Sequence, residues 1–329
     1  MKSSNVLVTG GAGYIGSHAV LAFLDRGYSV VVIDDLSTGH RSALAREATF
    51  VEGDAGEKNL VGNVLQEHDI DLVVHFAGSI IVPESVANPL KYYANNTCAS
   101  RNLIECCIEN GVGNFVFSST AAVYGAPAVV PVSESAPTEP ESPYGTSKLM
   151  TEWILRDTAS AHDFRYVALR YFNVAGADPK GRTGQSTLNA THLIKVATEV
   201  ASGKRRYIEI YGDDYETPDG TCVRDFIHVS DLADAHVRVC EHLGGGGESL
   251  VMNCGYGRGY SVREVLAVVE RVSGERLDIR PASRRPGDPP VLVADASRLT
   301  RVLAWQAQHD DLDFIVGSAL DWERQLVEA

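Results

Sequence analysis

Thr9-Gly10-Gly11-Ala12-Gly13-Tyr14-Ile15-Gly16 follows directly on the apolar run Val6-Leu7-Val8 of the expected strand Asn5–Thr9. Its glycines satisfy Gly-x-Gly-x-x-Gly through Gly11, Gly13 and Gly16, and Gly-x-x-Gly-x-x-Gly through Gly10, Gly13 and Gly16. Such spacing serves a strand that turns tightly into a helix and lets backbone approach a pyrophosphate. The helix expected next carries Ile15, Ala19, Ala22 and Phe23 on one face and stops at Gly27. Its first turn aims backbone N–H groups and a partial positive charge at phosphate. The second strand, Ser29–Ile33, is closed by Asp34. An aspartate there accepts hydrogen bonds from adenosine ribose hydroxyls and repels a 2′-phosphate, so the expected cofactor is NAD and not NADP.

Outward from this unit the pattern repeats. Further strands are expected at Thr49–Glu52, Asp71–Phe76, Asn114–Ser118 and Arg165–Arg170, with helices near 14–26, 57–67, 84–110 and 143–161. Alternating strands and helices, with runs such as Val30-Val31-Val32-Ile33 apolar on both faces, specify an α/β fold. The expectation is a doubly wound parallel sheet of Rossmann type over residues 1–171. A smaller, discontinuous carboxy-terminal lobe follows over 172–329, with a segment near 224–243 returning to the first. In that lobe Pro/Gly-rich pieces interrupt shorter elements. Gly255-Tyr256-Gly257-Arg258-Gly259 is not a second dinucleotide site, because Ser261 and Glu264 read as a capping box and no acid-ended strand follows. Gly244–Gly247 is a turn.

A net charge of −14 over 329 residues argues against nucleic acid and anionic membrane as partners. Nothing approaches the length of a membrane span. Met1-Lys2-Ser3-Ser4-Asn5 runs straight into the first strand, so no signal segment is expected. The six cysteines are scattered without a Cys-x-x-Cys pair, which reads as reduced thiols in the cytoplasm and no metal site. His75 and His228 flank apolar runs and are expected to be packed or hydrogen-bonded.

Among 13 tyrosines only Tyr144 has a lysine four residues on, Lys148. The pair opens a helix after Ser142-Pro143, and the spacing puts both side chains on one face. Upstream, Phe115-Val116-Phe117 ends in Ser118-Ser119-Thr120, hydroxyls at the carboxyl edge of a strand, where α/β ligands bind. An ammonium about 5 Å from the phenol, at an effective dielectric near 20, offers roughly 3 kcal/mol, about two pK units. Lys148 would thereby make Tyr144 an acid/base, with Thr120 hydrogen-bonded to the reacting oxygen.

Together these segments resemble the extended short-chain dehydrogenase/reductase family over nearly the whole chain, and within it the branch acting at C4 of UDP-hexoses. The resemblance rests on Gly10–His18, Asp34-Asp35-Leu36, His75–Gly78 with Pro83–Val86, and Tyr92–Asn96. It continues through Ser118–Gly125, Ser142–Met150, Leu169–Asn173, Asp219–Val229 and Arg285–Asp288. It implies catalysis by Tyr144, Lys148 and Thr120. It implies cofactor contacts at Gly10, Gly13, Tyr14, Ile15, Gly16, Asp34, Asp35, Ser37, Thr38 and Gly39. Asp54, Ala55, Phe76, Ala77, Gly78, Asn96, Ser118 and Tyr171 join that set, with Tyr144 and Lys148.

For the substrate, a UDP-hexose, the resemblance implies Arg224 and Arg285 at the diphosphate, Asp288 at the uridine ribose, Tyr211 flanking the uracil and Asn173 at the nucleotide-sugar. Thr120, Tyr144, Phe172, His192, Leu193 and Leu292 complete the set. The implied reaction is reversible C4 epimerisation through a 4-keto sugar. Epimerisation of a related UDP-sugar (an N-acetylhexosamine or a pentose) is the alternative. A 4,6-dehydratase would need an Asp-Glu pair after the hydroxyl residue, where this chain has Ala121-Ala122.

Three departures stand out. Ile80 occupies the place of a cofactor-contacting lysine, His192-Leu193 that of an asparagine-leucine pair, and Leu292 that of a bulky tyrosine or a cysteine at the sugar gate. Leu292 is expected to leave intermediate room at the sugar C2 group. Relatives dimerise through the helices near 84–110 and 143–161. Apolar Leu103, Ile104, Cys107, Met150 and Trp153, spread over more than one face, support a homodimer here.

Overall fold

The computed structural model describes residues 4–188, 190–285 and 287–328. Met1–Ser3, which lead into the first strand, and Pro286 of the Arg285–Asp288 segment lie outside the described residues. The chain divides into two compact units. The first comprises Met1–Gly125, Thr138–Arg170 and Ala233–Met252, and the second Ala126–Pro137, Tyr171–Leu232 and Asn253–Ala329. The segment that returns to the first unit is therefore Ala233–Met252, later than the expected 224–243, and Ala126–Pro137 leaves it early.

Strands in chain order are β1 Asn5–Thr9, β2 Ser29–Asp34, β3 Thr49–Glu52, β4 Leu72–His75, β5 Asn114–Ser118, β6 Arg165–Tyr171 and β7 Asn173–Ala175. They continue as β8 Ile208–Tyr211, β9 Val223–His228, β10 Leu250–Cys254, β11 Gly259–Ser261, β12 Ile279–Ala282 and β13 Val291–Leu292. The first unit is built on a seven-stranded sheet in the order β10-β6-β5-β4-β1-β2-β3, with every pairing among β1 to β6 parallel. Val6, Leu7 and Val8 are fully buried, as a strand covered on both faces requires. Leu7, Ile33, Val73, Phe115, Phe117 and Leu155 share one core cluster. Each such side chain is worth about 1.5–3 kcal/mol on burial.

Sequence order reverses between β1 and β4, so the chain leaves these neighbouring strands in opposite directions and opens a crevice at their carboxyl ends. Thr9 and His75 are paired there in register. Gly10 follows at φ +72°, and a Cβ on it would meet the Ala77 nitrogen at 2.7 Å. The close approach of the β4 exit loop is what demands glycine at that point.

Helix Tyr14–Asp25 ends before Gly27, whose φ of +82° reverses the chain. Helix Pro143–Ala161 has the expected bounds, opened by Pro143 in its first turn and capped by the Ser142 hydroxyl, which accepts from Gly145 N. The stretch 84–110 is not one helix. It comprises Val82–Ala87, Pro89–Tyr92, a π-helical turn at Tyr93–Cys98 and an α-helix at Ala99–Glu109. Pro89 cannot donate to a preceding turn, and Asn88 lies outside helical geometry.

In the second unit β9 pairs with β11, β13 and β7, and β12 with β8. Helices Leu193–Ala201, Val262–Ser273 and Leu312–Glu328 pack around a second apolar cluster that includes Ile194, Phe226, Leu266 and Val316. Ser261 and Glu264 form the expected capping box.

Candidate active site

At the glycine turn Gly13 precedes helix Tyr14–Asp25 and supplies no side-chain cap to its first turn. A Cβ on Gly16 would meet the Gly10 carbonyl oxygen at 2.1 Å, so this turn packs as tightly as the glycine spacing requires. Asp34 is buried, accepting from Ala12 N at 2.9 Å and Leu36 N at 2.8 Å. Burial raises its pKa and these backbone bonds oppose the rise. The loop beyond it folds back on the turn, where His40 N donates to Ala12 O. Asp35 accepts from Ser37 N and Oγ, and Asp54 from Gly56 N. A dinucleotide fits this donor set: an uncapped helix start for phosphate, and a fixed carboxylate with acceptor capacity left for ribose.

Ala55 lies in the core cluster. Phe76, Ala77 and Gly78 follow β4, with the Phe76 ring 4.7 Å from that of His236. Asn96, on the π-helical turn, accepts from Ser79 N and donates to Ser79 O and Ser147 Oγ. Its amide therefore fixes the loop after Gly78, a local task that the motif alone did not reveal. His75 is fully enclosed between Thr9 Oγ1 at 2.7 Å and Ser100 Oγ at 2.8 Å, as a packed histidine. Burial, with Lys148 nearby, lowers its pKa to about 3.

Thr120, Tyr144 and Lys148 are brought together in the first unit. The 3-10 turn Ala121–Tyr124 begins at Thr120, whose hydroxyl caps Ala122 N. The Thr120 side chain acts on the Tyr144 phenol, lowering its pKa. Lys148 is 3% exposed, donates to the Ser118 carbonyl at 3.0 Å, and is lowered by burial to about 8. Burial raises Tyr144 and the Thr120 side chain opposes it. The lowering expected from Lys148 counted charge attraction alone, and desolvation of the phenol reverses its sign here.

In the second unit Arg224, on β9, meets Asp288 at 2.5 Å. The Arg285 guanidinium lies over the Tyr211 ring at 3.8 Å, covering one face of the aromatic expected at the uracil. Leu292, on β13, stands in register with Arg224. Tyr171 ends β6, Phe172 follows and Asn173 opens β7. His192 precedes helix Leu193–Ala201 and bonds Gln185 at 2.9 Å. His228 is buried, with Ser230 N donating to Nδ1. No group of three or more metal-ligating side chains occurs among the described residues.

A family model, "NAD dependent epimerase/dehydratase family", matches residues 6–255. The chain belongs to this family. It is 60% identical to UDP-glucose 4-epimerase of Azospirillum brasilense over 327 residues, 99% of this chain and 94% of that one. It is similar to the solved structure of UDP-glucose 4-epimerase from Brucella ovis in complex with NAD. That match has 44% identity and a TM-score of 0.95, covering 98% of this chain and 99% of that one. The Bifidobacterium longum UDP-glucose 4-epimerase, solved with NAD+ and UDP, is 40% identical with a TM-score of 0.94 over 98% of both chains.

Sequence reasoning did not single out Glu152 and Arg170, and it read Ser119 only as one of three hydroxyls at the strand edge. Glu152 follows Lys148 by four residues and Tyr144 by eight, so helical spacing carried the signal.

Proposed function

We propose that this chain interconverts UDP-glucose and UDP-galactose by epimerisation at C4, with NAD as resident cofactor. The observation that carries the reading is the Thr120, Tyr144 and Lys148 assembly at the carboxyl end of β5, in a family whose full-length relatives are named for this reaction. Tyr144 Oη takes the proton of the sugar 4-hydroxyl while Thr120 hydrogen-bonds that oxygen. The chemistry NAD supplies when bound is a reversible store for the C4 hydrogen and its electron pair. Tyr144 then holds the proton while the 4-keto sugar turns over, and returns it to the same oxygen when the opposite face has been presented. No net oxidation occurs.

The two pKa influences on Tyr144 suit a reaction that runs both ways. Burial favours the phenol, which donates to the ketone, and the Thr120 side chain favours the phenolate, which accepts from the alcohol. Arg224 and Arg285 hold the diphosphate, Asp288 the ribose and Tyr211 the uracil through its remaining face. Phe172, Asn173, His192, Leu193 and Leu292 shape the sugar site. Firm contacts to the nucleotide and loose ones to the hexose let the sugar turn while UDP stays bound.

The residues of the glycine turn, with Tyr14, Ile15, Asp34, Asp35, Ser37, Thr38, Gly39, Asp54, Ala55, Phe76, Ala77, Gly78, Asn96, Ser118 and Tyr171, form the cofactor side. The chain acts in the cytoplasm, a reading supported by its six free cysteines. No helix among the described residues is long and apolar enough to cross a membrane. It works as a homodimer through the surface of helices Val82–Ala87, Pro89–Tyr92 and Pro143–Ala161. Leu103, Ile104 and Cys107 are buried in the chain's own core and cannot serve that surface, whereas Val86, Leu90 and Trp153 are exposed. Purified protein given UDP-galactose and no added NAD should form UDP-glucose. Formation of a 4-keto-6-deoxy product, or of none, would overturn the reading.

A further inference from the structure

Three consecutive residues leaving β5 are tied to three successive turns of one helix. Ser118 accepts from Lys148 Nζ at 3.0 Å, Ser119 Oγ donates to Glu152 Oε1 at 2.5 Å, and the Thr120 side chain acts on the Tyr144 phenol. Tyr144, Lys148 and Glu152 recur every four residues and share one face of helix Pro143–Ala161. Only the first two do chemistry in the reaction proposed above.

Glu152 is 4% exposed and is itself held from behind. Arg170, on β6 and 5% exposed, grips it in a fork, Nε to Oε1 at 2.9 Å and Nη2 to Oε2 at 2.5 Å. The third arm of the fork, Nη1, donates to Tyr124 Oη at 3.0 Å, and the guanidinium lies 4.9 Å over the Tyr124 ring. Tyr124 ends the 3-10 turn that begins after Thr120. The Ser119 backbone N–H is meanwhile fixed on Leu169 O, the residue before Arg170. The network thus closes on both sides of Thr120. One side runs through Ser119 and Glu152 to the catalytic helix, and the other through Tyr124 and Arg170 to β6.

A buried ion pair is a poor source of stability, since desolvating two charges offsets most of their attraction. A forked Arg–carboxylate pair is nonetheless geometrically exacting, because two parallel bonds fix both distance and plane. We propose that Glu152 and Arg170, acting through Ser119 and Tyr124, are positioning residues. They set the registry between the β5 exit and the catalytic helix, and so place Thr120 and the Ser118 carbonyl against Tyr144 and Lys148. This rests on the reading of Tyr144 as the proton carrier.

Ser119→Ala removes one hydroxyl and leaves the ion pair intact, so the fold is retained. It should lower kcat for UDP-galactose about tenfold, with KM, bound NAD and melting temperature near wild type. The acid limb of the kcat–pH profile should move upward, because Tyr144 loses part of the Thr120 influence that opposes its burial. The neighbouring titratable groups do not obscure this limb. His75 ionises at about 3, and Tyr92, whose ring meets that of Tyr144 edge-on, is raised by burial and by Glu84. Ser119→Thr, which restores the hydroxyl, should recover most of the rate.

Glu152→Gln, where it folds, should shift the profile the same way and further. A Ser119→Ala protein with wild-type kcat and an unmoved profile would overturn the proposal, as would a lowered melting temperature as the sole effect. Tyr144→Phe run alongside separates the two readings. If that variant remains active, the proton-carrier assignment fails, whatever Ser119→Ala does.

Discussion

Lys148 Nζ donates to the main-chain carbonyl of Ser118 at 3.0 Å and lies 5.0 Å from the centre of the Phe117 ring. A cation so enclosed loses hydration, and its pKa falls to about 8. It therefore remains mostly charged at neutral pH, with one donor committed to β5 and two left for cofactor and phenol.

Lys148→Met should reduce kcat by about 10²–10⁴ while UDP-galactose still binds. In the wild type the ammonium is lost as pH rises through about 8, so activity should decline on that side, and the variant should lack this limb. Tyr144→Phe should be at least as severe, again with substrate binding retained. Initial rates across pH, with binding measured by calorimetry, decide both.

Asp34→Asn replaces an acceptor-only carboxylate with an amide that can accept through one oxygen. Either Ala12 N or Leu36 N then loses its partner, at a cost of about 1–3 kcal/mol. The purified variant should carry less NAD, measured by release on denaturation, and should discriminate less against NADP. Wild-type NAD content would show that ribose recognition lies elsewhere.

His75 is buried neutral, with its folded pKa near 3, below an unfolded value of about 6.5. Between these values the unfolded chain binds the extra proton, so stability falls as pH drops through that window, by at most about 1.4 kcal/mol per pH unit. His75→Gln should begin less stable but lose less on acidification. Melting curves from neutral pH downward test this, and parallel losses in the two proteins would refute it.

Leu292 is 9% exposed and in register with Arg224. If it gates the sugar C2 substituent, the wild type should turn over an N-acetylated UDP-hexosamine as well as UDP-galactose. Leu292→Tyr should then depress the N-acetylated substrate about tenfold or more relative to UDP-galactose. Equal loss for both sugars would remove Leu292 from the gate.

Trp153 is 46% exposed and Leu90 77% exposed, large apolar side chains presented to solvent by a single chain. Trp153→Glu should convert a dimer to a monomer in light scattering. A wild-type protein that is already monomeric would exclude the proposed assembly.

The sheet was legible because its strands are short apolar runs closed by glycines and polar turns. Asn5–Thr9, Thr49–Glu52 and Asn114–Ser118 occupy the bounds their composition indicates. The break in the stretch 84–110 was less legible, since apolar spacing continues across Pro89 and the π-helical turn even though the backbone does not. The edge strand Leu250–Cys254 lies eighty residues beyond its neighbour β6, and local pattern does not report such pairing. Surface and core were likewise indistinguishable for Leu103, Ile104 and Cys107, because periodicity marks an apolar face without saying what covers it.

From sequence alone came the glycine turn with its acidic ribose partner, the four-residue spacing of Tyr144 and Lys148, and hence the family and its cofactor. These are local features, set by backbone conformations and helical repeat within a few residues. Only the tertiary structure decided what surrounds them. It closed Glu152 on Arg170 behind Ser119, spent the Asn96 amide on Ser79 and Ser147, and enclosed Tyr144 so that desolvation raises its pKa against the influence of Thr120. Desolvation and long-range hydrogen bonding depend on atoms distant in the chain, and no window of sequence contains them.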